Sequence, residues 1–560
     1  MKIPIVLISL QVQSSFQAVP LGAASIVSAL KNDRFITDRC TVSLCDLSLE
    51  DPQFHDKDDE GIARIIADRV FECACLSAGC DTQAVFGFSI YVWNRQVCEK
   101  AARIIRQRMS KALVLAGGPE ITANPLFADT PFHYLIQGEG ETASTKLISS
   151  YLDLSVAACE SGTIIRATHE SLDSLSSPWL DGTLLSSPSV NGFHGALWEL
   201  ARGCPYSCSY CYESKGSKQL RYFPLSRLSA ELHEFVRMGI ERVFVLDPTY
   251  NCSRERALQI LALIEKIAPT IHFNFEVRCE LLDREIVRAF SRIPCSLQIG
   301  LQSSNPRALA AVSRPTDIKA FTKKIGLLNE AGIVFGLDLI CGLPEDSLST
   351  FRSSIDFALS LYPNNLELFR LAVLPGTTLH DQAASFSLRH QDTPPYHVLS
   401  LPSFPAADID RAMELARAVE FFYTHGRAVS WFLAVIYPLK IKSSRFFSDF
   451  AAFLQRQYPA MPLDQVAHQD IEAIQLAFLE LVYQEKGLSW AWPVVKDLVS
   501  LNGAWTRALA DGESSILDLS YDSEDIMGPD ALDILSFAEN AYMEASTVHI
   551  TPGPDGPELH

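Results

Sequence analysis

The 560-residue chain is 48% hydrophobic and 20% charged, the balance of ordinary globular protein, and its length suggests three or four domains that can each bury a core. A net charge of −19 and an isoelectric point near 5.2 oppose a surface that tracks phosphates, so no nucleic acid partner is expected. The longest apolar run, AVSWFLAVIYP at 428–438, falls short of the roughly 18 residues a membrane span needs, and it lies between Arg427 and Lys440. The chain therefore reads as soluble and cytoplasmic, with no membrane partner. MKIPIVLISL, followed at once by the polar QVQSS, reads as a strand and not a signal peptide.

From 1 to 152, IPIVLISL, TVSLCDL, AVFGFSI, ALVLAG and HYLIQG read as short buried strands, with helices starting near Pro20, Gly61, Asn94 and Glu141. That alternation predicts an α/β, doubly wound, Rossmann-like parallel sheet, whose ligands bind at the carboxyl ends of the strands. Small and polar residues gather there: Ser89 and Tyr91, then Gly117, Gly118, Pro119 and Glu120, then Gly138, Glu139 and Gly140. Turn chemistry alone is the competing reading of these residues. No G-x-G-x-x-G occurs, which disfavours a dinucleotide.

Residues 153–195 are Ser-rich and irregular and read as a linker draped over the surface. A second series follows over 196–380: ALWELAR, RVFVLD, IHFNFEV, CSLQIGL, IVFGLDLI and LELFRLAV alternate with helices such as SRERALQILALIEKI, where Ser253 is a plausible N-cap. Six such units predict a partial (β/α)6 parallel barrel with its chemistry on the loops after the strands. Those loops carry Asp247, Thr249 and Asn251, then Glu276 and Arg278, then Gln302 and Ser303, then Asp338 and the CGLP turn at 341–344 with Leu343, then LPGT at 374–377. For Thr249 and Asp338, a cap or solvated loop position is the plainer reading. Residues 381–548 show helical periodicity and predict a mainly helical domain whose aromatics form its core, and 549–560, TPGPDGPELH included, reads as a disordered tail.

The loop after the first strand of the second series holds RGCPYSCSYCYES, with Cys204, Cys208 and Cys211 in a C-x3-C-x2-C pattern. Among 14 cysteines in this length, such a pattern arises by accident in roughly one chain in a hundred. A disulfide leaves one thiol over. Zinc wants four ligands, and His194 and His233 stand alone with no second C-x-x-C. An iron-sulfur cluster remains, and three thiolates on a four-iron cluster leave one iron open to a substrate or cofactor. The scattered remaining cysteines suit buried free thiols in a reducing compartment.

This spacing, with Tyr210 just before the third cysteine, resembles the signature of radical S-adenosylmethionine enzymes. Together with VPLGAASIVSAL, VFGFSIYVWN, LAGGPE and IQGEGE before it, and VLDPTYN, FEVRCE, IGLQSSNP and LICGLPEDS after it, the chain is similar over residues 1–380 to the cobalamin-binding members of that family. The C-terminal part, including DTPPYHVLSLPSF, looks like the extension in the branch containing the tryptophan methylase of thiostrepton biosynthesis. The resemblance implies a 4Fe-4S cluster on Cys204, Cys208 and Cys211. It places Tyr210, Asp247, Asn251, Glu276, Arg278, Gln302, Ser303 and Leu343 along the S-adenosylmethionine site. It places cobalamin against Gly22, Ser89, Tyr91, Val92, Gly117, Gly118, Glu120, Gly138, Glu139 and Gly140, with its nucleotide tail in the sheet crevice and its corrin toward the barrel mouth.

The same resemblance implies transfer of a methyl group from S-adenosylmethionine, by way of methylcobalamin, to a carbon of a small-molecule or natural-product substrate, tryptophan among the options. An external donor such as flavodoxin or ferredoxin supplies electrons, the chain is expected to be a monomer, and no catalytic side chain is assigned. One departure stands out: D-x-H-x-x-G, which supplies a histidine to the lower face of cobalt in other cobalamin domains, is absent. The loop LQVQSSFQAVP is the expected neighbour of that face. A rival reading keeps the cofactors but rearranges or cyclises the substrate without methylating it. A cobalamin or redox sensor, and a tRNA methylthiotransferase, fit the acidic chain less well.

Overall fold

In the computed structural model the first strands are β1 (Ile3–Gln11), β2 (Cys40–Ser48), β3 (Ala84–Ser89), β4 (Ala112–Gly117), β5 (Tyr134–Gln137) and β6 (Thr163–Arg166). They form one parallel sheet in the order β2-β1-β3-β4-β5-β6. Successive residues face opposite sides, and both sides are covered, which is why the strands read as nearly unbroken apolar runs. Val6, Ile8, Phe86 and Val114 pack with the helices Asp59–Cys73 and Arg95–Arg108. Ile5, Leu7, Val85, Leu115 and Ile136 pack with Leu21–Asn32 and Gly140–Leu152. The order reverses between β1 and β3, which opens a crevice at their carboxyl ends.

The structure describes residues 2–74, 83–124, 129–154, 161–169, 171–185, 187, 190, 192, 194–215, 218–459, 461–554 and 556–560. No helix among them is long and apolar enough to cross a membrane. They divide into a first unit, Met1–Ser296 with Ala372–Ser385 and His390–His397, and a second, Leu297–Leu371 with Phe386–Arg389 and Val398–His560.

The expected linker is corrected in two ways, although 155–160, 170, 186, 188–189, 191 and 193 lie outside the described residues. It contributes β6, a sixth strand hidden in TIIR, and four of its apolar residues anchor it in the interior and are not draped on the surface. Leu172, Trp179, Leu184 and Val190 are buried. The Trp179 indole meets Phe235 edge-on at 5.1 Å and donates to the Leu197 carbonyl at 3.1 Å. A Ser-rich composition hid these anchors.

The second series comprises β7 (Gly195–Trp198), a ribbon of β8 (Ala201–Arg202) antiparallel to β9 (Arg221–Tyr222), then β10 (Arg242–Val245), β11 (His272–Val277), β12 (Cys295–Gln302), β13 (Val334–Cys341) and β14 (Asn365–Arg370). The main sheet runs β14-β13-β12-β11-β10-β7. Helices Leu225–Met238, Arg254–Ile267, Arg284–Phe290, Ile318–Glu330 and Leu348–Leu359 alternate with its strands. Ser253 occupies the N-cap position of Arg254–Ile267, but its side chain makes no capping bond.

After β14 come the short strands β15 (Arg389–His390) and β16 (Val398–Ser400). Helices Ala406–Val419, Ser443–Gln457, His468–Glu485 and Trp492–Ala510 of the second unit enclose an aromatic core in which Phe422 meets Phe446 at 5.2 Å and Phe450 at 4.9 Å. This region is not purely helical: β17 (Ser515–Leu519), β18 (Ser546–Gly553) and β19 (Gly556–Leu559) form an antiparallel sheet. Residues 549–553 and 556–559, expected to be disordered, are thereby strands. The Pro- and Gly-rich composition marks a turn, and Val548 and Ile550 on one face of β18 are buried.

Candidate functional site

A cavity of about 450 Å3 opens in the first unit at the carboxyl ends of the N-terminal strands. Ile5, Leu7, Val85, Gly87, Leu115 and Ile136 form its floor, with Gly22, Ala23 and Ile26 from one helix and Ser144 and Ile148 from another. Ser89, Tyr91, Gly117, Gly118, Gly138, Glu139 and Gly140 line it higher up, and Glu199, Arg202, Gly203, Tyr212, Glu213 and Arg221 also border it. The size is that of a site for a drug-sized ligand or a cofactor.

Two glycines shape the cavity. A Cβ on Gly118, whose φ is +106°, would stand 2.7 Å from the Ile90 carbonyl oxygen, so only glycine fits the turn. A Cβ on Gly87 would stand 2.6 Å from Cδ1 of Leu7, so the missing side chain keeps the floor open. Asn94, fully buried, fixes the turn above them: its Oδ1 accepts from Tyr91 N at 2.8 Å, and its Nδ2 donates to the Ser89 carbonyl at 3.1 Å. Tyr91 stacks on Trp93 at 4.4 Å between ring centres.

Val92 and Glu120 do not line the cavity. Glu120 is buried, and its carboxylate accepts from Arg95 and from the Tyr396 hydroxyl, so it holds the turn from behind. Residues 10–20, expected beside the lower face of cobalt, also do not line it; Phe16 of that loop packs on Gly195.

Cys204 and Cys208 are buried and Cys211 is half-buried. Cys211 N donates to the Cys208 carbonyl at 3.1 Å, and Leu379 N, from a later segment of the same unit, pins the Ser209 carbonyl at 2.8 Å. Burial pushes the Cys204 thiol up and the Cys211 thiol to about 11, and each stands in the electrostatic field of Cys208. Thiols so placed ionise by binding a metal. Among the described residues no three His, Cys, Asp or Glu side chains converge as on a single ion. Three thiols in a C-x3-C-x2-C spacing on one loop are soft donors of the kind an iron-sulfur cluster takes. Tyr210 is half-buried within this loop.

Asp247 and Asn251 serve neighbouring backbone. Asp247 Oδ1 accepts from Leu200 N at 2.9 Å and Ala201 N at 3.0 Å, which breaks ALWELAR into β7 and β8. Burial drives its carboxyl up to about 7 despite those two donors. Asn251 donates to the Arg278 carbonyl at 2.9 Å and accepts from Arg278 N at 3.0 Å. Thr249 is buried, with its hydroxyl on the Pro248 carbonyl. Glu276 is exposed, whereas Arg278 is buried, with its guanidinium 3.7 Å from the centre of the Tyr206 ring and its Nε on Glu280 at 2.6 Å.

Gln302, Ser303 and Leu343 belong to the second unit. Gln302 has a φ of +68° and lies over Gly300, where a Cβ would collide with it, and its Oε1 is buried without a hydrogen-bond partner among the described residues. Ser303 is fully buried and bonds to Asp346 and Ser354, both at 3.3 Å, while Leu343 is core. Asp338, read as a cap or solvated, instead accepts from Gln298, and burial raises its pKa. It stands in register with Glu367, which burial and then the Asp338 charge push to about 7.

The charged wall of the cavity went unrecognised in the sequence. Arg202 reaches Glu141 at 2.7 Å, Glu199 at 2.9 Å and Glu139 at 3.3 Å. Glu139 also accepts from Arg221 and, at 2.9 Å, from His169. Burial raises Glu139, but the Arg221 and His169 hydrogen bonds and the Arg202 charge outweigh it and hold the carboxyl below its ordinary range. Arg202 sits two residues before Cys204, and Glu141 ends the GEGE turn, so both lay inside motifs already singled out. Arg221 and His169 carry no such signal.

Residues 198–358 match the radical SAM superfamily. The chain is 29% identical over 354 residues to the 2-(S-pantetheinyl)-carbapenam-3-carboxylate methyltransferase of Streptantibioticus cattleyicolor, covering 56% of this chain and 51% of that protein. It is 28% identical over 334 residues to the cobalamin-dependent radical SAM methyltransferase TokK of Streptomyces tokunonensis, covering 53% and 48%. The chain thus spans about half the length of these curated relatives. Its fold resembles that of TsrM from Kitasatospora setae, solved with tryptophan substrate and aza-SAM, at a TM-score of 0.52 and 15% identity over 72% of this chain and 82% of that one. It also resembles OxsB, a cobalamin-dependent S-adenosylmethionine radical enzyme solved with aqua-cobalamin, at 0.56 and 13% over 96% and 84%. A radical SAM segment thus follows a doubly wound sheet in a chain that is similar, across more than half of its length, to methyltransferases of which TokK is a cobalamin-dependent radical SAM enzyme.

Proposed function

We propose that this protein is a methyltransferase that moves a methyl group from S-adenosylmethionine, through a bound cobalamin, to a carbon of a small molecule. The observation that carries the reading is the cavity itself, whose lining comes from the corrinoid-type turns of the N-terminal sheet and from residues on both sides of the cysteine motif. In this reading Cys204, Cys208 and Cys211 hold a 4Fe-4S cluster. Ser89, Tyr91, Gly117, Gly118, Gly138 and Gly140 cradle the corrinoid, and the floor around Gly87 takes its nucleotide tail. The corrinoid supplies a carrier for the methyl group. Asp247 and Asn251 act as positioning residues by fixing the strand ends beside the motif. Tyr210, Glu276 and Arg278 of the first unit are assigned to the S-adenosylmethionine region, Tyr210 by its place in the cysteine loop and the other two by theirs at the end of β11.

The test is anaerobic purification and reconstitution with iron, sulfide and hydroxocobalamin, followed by S-adenosylmethionine, a low-potential reductant and candidate substrates. Tryptophan comes first because TsrM was solved with it. A product heavier by one methyl group, together with S-adenosylhomocysteine, is the expected outcome. Failure to retain cobalamin would sink the reading. An unchanged product mass with 5′-deoxyadenosine would favour rearrangement, the alternative that keeps the same cofactors.

A further inference from the structure

The helices Arg254–Ile267 and Arg284–Phe290 border a second cavity of the first unit, of about 500 Å3, in which Leu258 and Leu261 supply apolar surface. Arg284, Arg288 and Arg292 also line it, four residues apart and all exposed. Arg292 stands 3.7 Å from Glu265 in a pair that water screens. Glu285, the other acid of the lining, accepts from Arg254. Arg284 and Arg288 have no ion-pair partner among the described residues. A chain with a net charge of −19 thus presents a locally positive groove with an apolar floor.

The groove starts beside the cysteine motif. Arg278, in the turn between β11 and the second of these helices, holds its guanidinium 3.7 Å from the centre of the Tyr206 ring, and Tyr206 lies between Cys204 and Cys208 in the motif. Asp283, later in the same turn, caps that helix by accepting from Glu285 N and Ile286 N, each at 2.9 Å. It also accepts from Arg254 Nε at 2.7 Å, so the starts of both helices are tied together next to the turn that meets the motif.

We propose that this groove is the docking site of an acidic, one-electron carrier protein that reduces the cluster held by the motif; the inference rests on the reading of Cys204, Cys208 and Cys211 given above. A carrier rich in carboxylates is repelled by the chain as a whole, so its productive encounter is confined to a locally positive face. Guanidinium forks match carboxylates, and the leucine floor takes an apolar side chain at the centre of the contact. The nearness of the groove to the cysteine loop selects an electron carrier over other acidic proteins. One electron leaves the reduced flavin of the carrier and enters the cluster; the carrier is oxidised by one electron, the cluster is reduced by one, and no bond forms or breaks.

The experiment uses the full-length chain and a flavodoxin as the probe. Calorimetric titration should show binding at low salt that is lost at about 0.3 M salt. Arg284→Glu combined with Arg288→Glu should weaken it by about tenfold. Lys319→Glu combined with Lys323→Glu, at exposed positions of the helix Ile318–Glu330 in the second unit, changes the net charge equally and should leave affinity within about twofold. After cluster reconstitution, the arginine reversal should slow bleaching of the cluster absorbance by flavodoxin hydroquinone by about tenfold and leave bleaching by dithionite unchanged. Absence of wild-type binding at low salt, equal weakening by the lysine pair, or slowed reduction by dithionite as well would each overturn the proposal. If no cluster assembles, the reading of the motif fails, and the titration still decides whether the groove binds the carrier.

Discussion

The cavity is bordered by two groups of residues built on different principles. Those of the N-terminal sheet, Ile5, Leu7, Val85, Gly87, Leu115 and Ile136, define a shape through apolar side chains and missing ones. Those around the cysteine motif, Glu199, Arg202, Glu213 and Arg221, define a charge distribution, linked to the sheet's Glu139 and Glu141 by ion pairs. Shape of the first kind is indifferent to pH and salt, whereas the second depends on every partner being present. Changes on the charged side should therefore cost more, and vary more with conditions, than changes of similar size on the apolar side.

The largest effect is expected for Arg202→Ala. Its side chain is 15% exposed and serves three carboxylates. Its removal leaves Glu139, Glu141 and Glu199 facing one another in a half-buried site, at a cost of about 4 kcal/mol read from urea unfolding. Arg202→Lys should recover less than half of that, because one ammonium cannot reproduce the planar fork. Unfolding of Arg202→Ala at the wild-type urea midpoint would show the network to be idle.

Asp247 gives the clearest pH dependence. Its folded pKa near 7 lies above its ordinary value of 3.8. The folded state therefore binds the proton more tightly, and the stability this contributes is complete below 3.8, is lost as pH rises toward 7 and is constant above that. Asp247→Asn keeps an acceptor for Leu200 N and Ala201 N but does not ionise. The wild-type minus variant difference in stability should fall by about 3 kcal/mol between pH 4 and 7.5. A flat difference would mean that Asp247 remains ionised in the fold.

These two residues also mark how far the sequence could be read. The cysteine spacing and the glycine turns were visible because one local pattern carries their chemistry, and Asp247 and Asn251 were visible as strand-end residues. Their use was not visible, because whether a carboxylate meets a ligand or two backbone N–H groups depends on where Leu200 and Ala201 come to lie. The ion-pair network joins Arg202 to Glu139 and Glu141 across some sixty residues of chain, and Arg221 to Glu139 across eighty, so no window of periodicity contains it. Trp179 in the linker and the C-terminal hairpin were missed for the opposite reason. Ser-, Pro- and Gly-rich composition spoke for disorder, while single apolar residues, Trp179 and Ile550, decided the packing.

On the apolar side Gly118→Ala is the sharper test. The added methyl meets a backbone carbonyl and the positive φ disfavours any side chain, which together cost about 1–3 kcal/mol and should loosen cobalamin retention after gel filtration. Gly87→Ala meets only the end of Leu7, which can rotate away, so it should leave stability within about 1 kcal/mol while narrowing the floor. Equal losses from the two would remove the distinction between a backbone-defined turn and a side-chain-defined floor.

The smallest effect separates support from contact. Tyr396, from the His390–His397 segment, is buried, donates its hydroxyl proton to Glu120 and accepts from Arg95 at 3.2 Å. Tyr396→Phe keeps the ring and leaves Glu120 paired with Arg95, so the loss should be about 1 kcal/mol. Because Glu120 backs the turn without lining the cavity, cobalamin affinity measured by absorbance titration should change less than twofold, the equivalent of about 0.4 kcal/mol. A tenfold loss of affinity at unchanged unfolding midpoint would instead place Glu120 and Tyr396 against the cofactor, and the apolar side would then carry a polar contact that its present geometry does not contain.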